Sequence, residues 1–521
     1  MHWTRRALLQ ALGTGAACSA LGPVLGACTG ARATGAPPEP AAVGVADDWW
    51  RTLDELRDQL RTAVDGLAGR FAEVSAAARV RRTSHAFRDT GEHVLDRTLA
   101  TTLVLTVRTR DRRFEERTTD LGPAGVERAV RALVERAGGG GSGRVSRPLG
   151  IPRALMSSAA AVEPRALAPE DWRERVEELY QRPGGGVASR IVYRAAFVTC
   201  DDDEILMLGR GRDLAQRLVR TRAGVLFLAH QAGGGSAGVP RVRIEEETRG
   251  GLGGLELADI DPDAAVAAAE RVLTRFSPLA PPAGSFDLLL GPDLAARIVH
   301  DCLAPVLSAA TPGSAARPTD ERLGQLVAGA GLALTDDPRQ PGGYGSYFFD
   351  DRGDDAAPTA LIEAGVLRGL LGDRGDGDVE ARPGPSNLIL TGPAPSGAGG
   401  DGPGLGAATA VGLGHLAPEA AELIAAIDRG YLLEGCSMAR VDARTGRFLT
   451  RAARAYEIRA GALTAVVHAD VDLGGDLFEL LGAVRALGAG RRSVSVRGPD
   501  RASAATSPFV LTRGHIQGRR A

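Results

Sequence analysis

The chain has 521 residues, a length that favours two domains, and 44% of its residues are hydrophobic, which is ample for buried cores. The formal net charge is −2, so no overall electrostatic field would recruit nucleic acid or an anionic membrane surface. Nucleic-acid binding is therefore not expected.

Residues 1–28 have the features of an export signal. Arg5 and Arg6 form a twin arginine before a mildly apolar run, and Leu25-Gly26-Ala27-Cys28 resembles a bacterial lipoprotein box. We expect export by the twin-arginine route to the cell envelope, with a lipid anchor on Cys28 holding the protein on a membrane. The alternative is a soluble protein with an apolar N-terminal tail.

Residues 29–46 are rich in small residues and proline and predict a linker. Residues 47–276 then predict a first domain of helices on an antiparallel sheet. Its first helix is indicated by apolar residues at three- and four-residue spacing. These residues are Leu53, Leu56, Leu60, Val64, Leu67, Phe71 and Val74.

Three apolar runs in this first domain predict separate strands: "SRIVYRAAFVT", "DEILMLG" and "AGVLFLAHQ". The arginine-rich stretch "RVRR", at 79–82, is interpreted as a solvated face. Asp261 as N-cap, followed by Pro262 at the first helical position, predicts a helix at the end of the domain.

Residues 277–285 predict a second linker, and residues 286–521 a β-rich second domain that carries a helix around His300. In "LIEAGVLRGLL" and "YEIRAGALTAVV", apolar residues flank an Ala-Gly pair. This pattern predicts two β-hairpins in which Gly365 and Gly461 supply the positive φ of the turn.

Several segments of the second half occur in an order that resembles the TldD/PmbA family, zinc-metallopeptidase-like proteins also known as modulators of DNA gyrase and linked to peptide maturation and degradation. These segments are "SPLAPPAGSFDLLLGPDLAARIVHDC", "YFFDDRGDDAAPTALIEAGVLRGLLGDR", "GPSNLIL", "GCSMARVDARTGRFLTRAARAYEIRAGALT" and "SPFVLTRGHIQGR". The resemblance implies an α+β fold of two domains, with an active-site-like helix in the C-terminal one.

The family's helix carries His-Glu-x-x-x-His, and a later cysteine completes the zinc ligands. A catalytic zinc needs three protein ligands and one open position for water, and the neighbouring acid takes a proton from that water. By resemblance, His300 and Cys436 are the metal ligands and Asp301 the catalytic acid-base residue; no other cofactor is implied. Cys302, on the same helix, is predicted to be core packing.

The sequence departs from the family motif in three places. Asp301 replaces the glutamate, Pro305 stands where the second histidine belongs, and Arg352 replaces an acid in the turn "DDRG". Proline offers no ligand atom, and we expect it to kink or end the helix. Asp350 and Asp351 could supply oxygen ligands, although an aspartate-rich turn is more often simply solvated.

These departures predict a degenerate metal site in which zinc is lost. The resulting hypothesis is a metallopeptidase-like protein that acts on peptides or proteins as a non-catalytic or partner subunit, in a homo- or hetero-oligomer with a TldD/PmbA-family paralogue. An active zinc metallopeptidase with altered ligands and an envelope lipoprotein that binds peptides are the alternatives. Whether the protein is an enzyme stays open at this point.

Overall fold

The computed structural model describes residues 49–71, 73–109, 112–138, 154–182, 191–209, 211–231, 241–277, 279, 281–308, 318–350, 353–371, 384–392, 418–498 and 502–517. The expected export signal, with Arg5, Arg6 and Cys28, lies outside these residues, as does the linker at 29–46. No helix within the described ranges is both long and apolar enough to cross a membrane.

Helices and strands form two sheets with helices packed on them. The helices are α1 (Trp49–Ala68), α2 (Pro123–Arg136), α3 (Pro169–Gln181), α4 (Pro262–Arg271), α5 (Pro292–Arg297), α6 (Ala304–Leu307), α7 (Pro318–Glu321), α8 (Pro418–Ala425) and α9 (Leu477–Gly482), with a π-helical segment at Ile298–Leu303 and 3₁₀ turns at Pro164–Ala166 and Leu255–Leu257.

The strands of the first sheet are β1 (Glu73–Asp89), β2 (His93–Arg108), β3 (Arg113–Thr118), β4 (Ala154–Ser157), β5 (Tyr193–Gly209), β6 (Arg212–Gln231) and β7 (Arg241–Leu252). Those of the second are β8 (Gly284–Leu290), β9 (Ala333–Asp336), β10 (Thr359–Glu363), β11 (Val366–Leu367), β12 (Asn387–Thr391), β13 (Arg429–Asp442), β14 (Arg447–Arg459), β15 (Ala462–Asp476), β16 (Ala486–Arg497) and β17 (Ala502–Gln517).

The first sheet runs in the order β3-β2-β1-β5-β6, and every pair on this path is antiparallel. β7 adds to β6 in antiparallel fashion, and the short β4 pairs with β6 in parallel. The apolar faces of α1 and α2 cover one core of this sheet, and α3 and α4 cover another. The expectation of helices on an antiparallel sheet is confirmed, with β4 as the exception.

The first helix is shorter than its apolar stripe predicts. Leu56, Leu60, Val64 and Leu67 are buried on one face of α1, but the helix ends at Ala68, and Val74 belongs to β1. The stripe continues past the helix end because the next strand begins by burying alternate residues in the same core. The predicted cap of α4 is confirmed, since the Asp261 side chain accepts a hydrogen bond from the Asp263 amide.

Two of the predicted strands are in fact one. "SRIVYRAAFVT" and "DEILMLG" are joined across Asp201–Glu204 in β5, and all four acidic residues of that stretch are buried. Arginines neutralise them. Arg79 and Arg81 pair with Asp203, and Arg82 donates to Glu204 over 2.9 Å. The interpretation of "RVRR" as a solvated face is therefore wrong: β1 lies beside β5, and its arginines face the acids across the strands.

The second sheet wraps into a closed ring. β8 pairs with β13 in parallel, β13 with β14, β14 with β15, and β15 with β17, which returns to β8. β16 and the extension β12-β9-β10-β11 are attached through β17. The helical segment at 292–307 packs in the large core of this domain.

Both predicted hairpins are present. β10 and β11 are joined by Ala364 and Gly365, at φ 49° and 81°, and β14 and β15 by Ala460 and Gly461, at φ 48° and 74°. Two successive residues with positive φ are the requirement of a type I′ turn, whose twist matches that of the strands it connects. In both turns glycine occupies the second position, and alanine adopts a positive φ at the first.

The two halves meet through buried polar contacts. The Arg220 guanidinium donates to the carbonyls of Tyr344 and Ser346, both at 2.8 Å, and the Gln216 side chain bonds to Phe348 and Phe349. Arg497 of β16 donates two hydrogen bonds, of 2.7 and 2.8 Å, to the Asp201 carboxylate of β5. The junction therefore uses the same buried acids that organise the first sheet.

Candidate functional site around His300

The segment predicted to carry the site begins as an ordinary helix. Gly291 is the N-cap and Pro292 the first helical residue, a position where proline's missing N–H has no helical partner to lose. The helix is apolar on nearly every side and lies within the largest core of the domain, with these residues buried: Leu294, Ala295, Ala296, Ile298, Val299, Cys302, Leu303, Ala304, Val306 and Leu307.

The middle of this helix is a π-helical turn, Ile298–Leu303, in which the amide of Ala304 bonds to the carbonyl of Val299. Pro305 follows, and the helix continues as α6 to Leu307. Of the two outcomes expected at Pro305, a kink or an end of the helix, the end does not occur, and the helix widens into a π turn just before the proline. The wider turn replaces i to i−4 bonding just where proline could not donate such a bond.

The π turn also changes which residues are neighbours. A π-helix closes its turn between residues five apart, so position 305 lies about one turn from His300. In an α-helix, residues five apart would be well separated around the axis. The spacing His-Glu-x-x-x-His suits a π turn, and this chain keeps the turn although its second motif position is proline.

His300 uses both of its ring nitrogens within the protein. Nδ1 lies 2.7 Å from Oδ1 of Asp301, and Nε2 lies 2.8 Å from the hydroxyl of Ser503. The His300 side chain is 13% exposed. An imidazole binds a metal through a ring lone pair, so zinc at His300 would have to displace one of these two contacts.

Asp301 is more exposed than His300, with 32% of its side chain exposed. One carboxylate oxygen contacts His300, and the guanidinium of Arg297 lies 3.8 Å from the other, one turn earlier on the helix. This places the predicted acid-base residue against the imidazole ring and at the edge of solvent.

Cys436, the other predicted ligand, lies on β13 immediately after Gly435, whose φ is 67°, at a break in the register with β14. Its thiol contacts the Met438 carbonyl at 3.4 Å and the Thr450 hydroxyl at 3.6 Å, and the residue packs against the core that contains the His300 helix. Burial raises the pKa of the Cys436 thiol to about 11. The structure gives it local protein partners.

Cys302 is fully buried in the core, and its thiol donates to the Arg440 carbonyl at 3.7 Å. Burial, together with the nearby charge of Asp301 and the thiol of Cys436, raises the pKa of Cys302 to about 12. A protonated thiol packed among apolar side chains is inert. The prediction that Cys302 is core packing is confirmed.

The aspartate-rich turn is held by its own backbone. The amide of Gly353 donates to the Asp350 carbonyl, and the amide of Asp354 donates to the Asp350 side chain, both at 3.0 Å. Asp351 and Arg352 lie outside the described residues. Asp350 therefore acts as a turn residue, in agreement with the simpler of the two interpretations given to it.

Asn387, from the segment "GPSNLIL", fastens a loop to β12. Its side chain donates to the Asp337 carbonyl at 2.8 Å and to the Ser346 hydroxyl at 2.9 Å, and accepts from the Gly345 amide at 2.9 Å. The same loop carries the carbonyls that bind Arg220 at the junction. Asn387 thus fixes the loop that contacts the first sheet.

Ser503 is the site residue that the sequence did not reveal. It stands on β17, opposite Val496 of β16, and is 7% exposed. It meets His300 across 203 positions of sequence. A single serine in "RASAAT" has no spacing or composition that distinguishes it from its neighbours.

Among the described residues, the donor set around His300 is smaller than the set that a catalytic zinc takes. Such a zinc takes three protein ligands, whereas the helix offers one imidazole, already bonded at both nitrogens, and a proline at the second motif position. Within the described part of the chain, no three side chains of His, Cys, Asp or Glu converge as metal ligands.

Comparison with known proteins places this site in context. Residues 283–514 match the family model described as PmbA/TldA metallopeptidase C-terminal domain. A metalloprotease of Methanothermobacter thermautotrophicus is 30% identical over 266 residues, 50% of this chain and 55% of the relative. One of Methanocaldococcus jannaschii is 28% identical over 241 residues, 46% and 51% of the two chains. The chain thus matches about half the length of these curated relatives.

Solved structures share the whole fold. A putative modulator of DNA gyrase from Bacteroides thetaiotaomicron superposes with a TM-score of 0.69 at 17% identity, covering 89% of this chain and 98% of its own. TldE from Thermococcus kodakarensis gives 0.62 at 15% identity, covering 88% and 100%. The sequence match of residues 283–514 and the shared fold confirm the predicted resemblance to the TldD/PmbA family, whose C-terminal domain this chain matches.

Proposed function

We propose that this metallopeptidase-like protein handles peptides or proteins without a zinc ion of its own, as the metal-free partner of a TldD/PmbA-family paralogue. One observation carries the proposal. Both ring nitrogens of His300 are bonded to Asp301 and Ser503, and the position one π turn further on is Pro305.

The remaining ligand candidates support the same conclusion. Cys436 has its own contacts to Met438 and Thr450, and His300 plus Cys436 would make two ligands where a catalytic zinc takes three. Assembly with a paralogue would supply the hydrolytic centre elsewhere in the complex. The relatives named metalloproteases support peptides or proteins as the material handled.

The first test is metal content. Purified full-length protein, folded in zinc-containing medium, should hold far less than stoichiometric zinc by elemental analysis, and His300→Ala should leave that content unchanged. Stoichiometric zinc that is lost in both His300→Ala and Cys436→Ala would contradict the proposal and favour an active metallopeptidase with altered ligands.

The second test is restoration of the motif. Because a π turn brings residues five apart to about one turn from each other, the double variant Asp301→Glu, Pro305→His should bring a second imidazole next to the first. We expect measurable zinc uptake by the double variant, with Asp301→Glu alone as the matched control. A folded double variant that binds no more zinc than the control would mean that the helix does not face a metal pocket.

The N-terminal sequence adds a location to this proposal. The twin arginine at Arg5 and Arg6 and the box ending at Cys28 support export and acylation, so that the protein works at the membrane face of the cell envelope. Labelled fatty acid should enter the full-length chain and not Cys28→Ala, with Cys18→Ala as the control. Equal labelling of all three proteins would end the idea.

A further inference from the structure

Three side chains at the His300 helix form a continuous hydrogen-bonded series. The Asp301 carboxylate lies 2.7 Å from Nδ1 of His300, and the Ser503 hydroxyl lies 2.8 Å from Nε2 of the same ring. A carboxylate at one imidazole nitrogen and a serine hydroxyl at the other is the arrangement by which nucleophilic serine sites are recognised, whatever the fold and the chain order.

From this geometry we propose that Ser503 is a nucleophile, with His300 as its general base and Asp301 as the group that orients the ring, and that the site transfers acyl groups from esters to water. The inference rests on the proposed function in one respect: His300 is free to accept a proton only if zinc does not occupy it.

The proton positions follow from the partners. An ionised carboxylate only accepts hydrogen bonds, so Asp301 takes the hydrogen of Nδ1. With the hydrogen on Nδ1, Nε2 presents a lone pair, which is the acceptor that the hydroxyl of Ser503 needs. The same contacts that would obstruct a metal therefore select the tautomer suited to general-base catalysis.

Rigid elements hold the reacting groups. Ser503 lies opposite Val496 of β16, and the next residue, Ala504, pairs with both Ser495 of β16 and Asn387 of β12. His300 and Asp301 lie on the π-helical turn, a local geometry that recurs at functional sites. A site built on a paired strand and a buried helix keeps its distances better than one on loops.

The chemical step balances without a metal or a redox partner. The Ser503 Oγ attacks the ester carbonyl carbon as its proton moves to Nε2 of His300. The C–O bond to the leaving alcohol then breaks, and His300 returns the proton to that alcohol. Water, deprotonated in turn by His300, attacks the acyl-serine, releases the acid and restores the Ser503 hydroxyl.

Exposure limits the size of the substrate. Ser503 is 7% exposed, whereas the side chain of Asp301 is 32% exposed. We therefore expect small acyl groups, and esters before amides, since an alcohol leaves more readily than an amine. Phenylmethanesulfonyl fluoride and p-nitrophenyl acetate are probes of suitable size.

The test is covalent labelling of the full-length chain by phenylmethanesulfonyl fluoride, read by intact mass and peptide mapping. We expect one sulfonyl group per chain, on Ser503, and none in Ser503→Ala. His300→Gln, which keeps polar atoms at the ring position but is no base, should label about 100-fold more slowly or less. Hydrolysis of p-nitrophenyl acetate should be lost in Ser503→Ala and should fall strongly in His300→Gln. Asp301→Asn should have a rate between those of the wild type and His300→Gln.

The matched control is Ser495→Ala. Ser495 is also buried, and it lies on the neighbouring strand opposite Ala504, so its variant should label at the wild-type rate. A folded wild-type chain that is not labelled, or labelling retained in Ser503→Ala, would overturn the proposal. Unlabelled, zinc-free protein would leave the proposed function standing, whereas zinc bound through His300 would overturn both.

Discussion

Two aspartates of the chain, Asp203 in β5 and Asp301 on the His300 helix, differ in their surroundings. In β5, Asp203 is 1% exposed and is met by Arg79, Arg81 and Arg220. On the His300 helix, Asp301 is far more exposed and has the imidazole as its close partner, with the guanidinium of Arg297 only at 3.8 Å.

The two carboxylates differ in the number of charged side chains that contact them. Burial alone would raise the pKa of Asp203, but the hydrogen bond from Arg79 and the charges of Arg79, Arg81 and Arg220 lower it to about 2. A carboxylate held by several guanidinium groups is a structural anion with no remaining role in proton transfer. Asp301 instead contacts an imidazole at the edge of solvent, and the proposed mechanism uses it to orient that ring.

The largest loss of stability is expected from substitution of Asp203. Asp203→Asn leaves three arginines around a neutral amide, and breaking a buried ion pair from one side typically costs about 3–5 kcal/mol. Urea unfolding followed by circular dichroism should show a clearly lower midpoint, whereas Glu115→Gln, at the partly exposed pair with Arg113, should change stability by less than about 1 kcal/mol. Equal effects of the two substitutions would contradict the comparison.

The contribution of Asp203 to stability should depend on pH. The lowered pKa of Asp203 means that its contribution is fully present above about pH 4, the ordinary range of an aspartate, and is lost as the pH falls toward 2. A shift of this size corresponds to on the order of 2 kcal/mol. The stability difference between wild type and Asp203→Asn should therefore shrink between pH 4 and 2; a difference independent of pH would contradict the assignment.

The same contrast explains what the sequence could predict. The hairpins at Gly365 and Gly461 and the cap at Asp261 were predictable because their causes lie within a few neighbouring residues. The continuous β5 was not, since "DDDE" interrupts an apolar pattern and becomes tolerable inside a sheet only when arginines from β1, β6 and β16 arrive beside it. Local patterns carry no information on such partners.

The candidate site likewise has features that the sequence predicted and features that it did not. The adjacent His300 and Asp301 were identified through the resemblance of their helix to the family motif, and the absence of a second histidine was read directly at Pro305. The π turn and Ser503 were missed. The turn depends on how the helix bonds around the proline, and Ser503 reaches the ring only through the closure of β17 against the core. Neither fact is local.

The smallest effect is expected at Ser503, and it separates a reactive group from a structural one. Ser503→Ala removes one hydrogen bond to His300, so stability should fall by about 1 kcal/mol, the usual net value of a single bond. Ser495→Ala is the matched control, and thermal unfolding of both variants at neutral pH measures the difference. A loss of stability as large as that of Asp203→Asn would mean that Ser503 has a structural role, like the acids of β5, and stabilises the contact between β17 and the helix. A loss near 1 kcal/mol with complete loss of sulfonylation would mean the reverse, because the hydroxyl then contributes far more to reactivity than to stability.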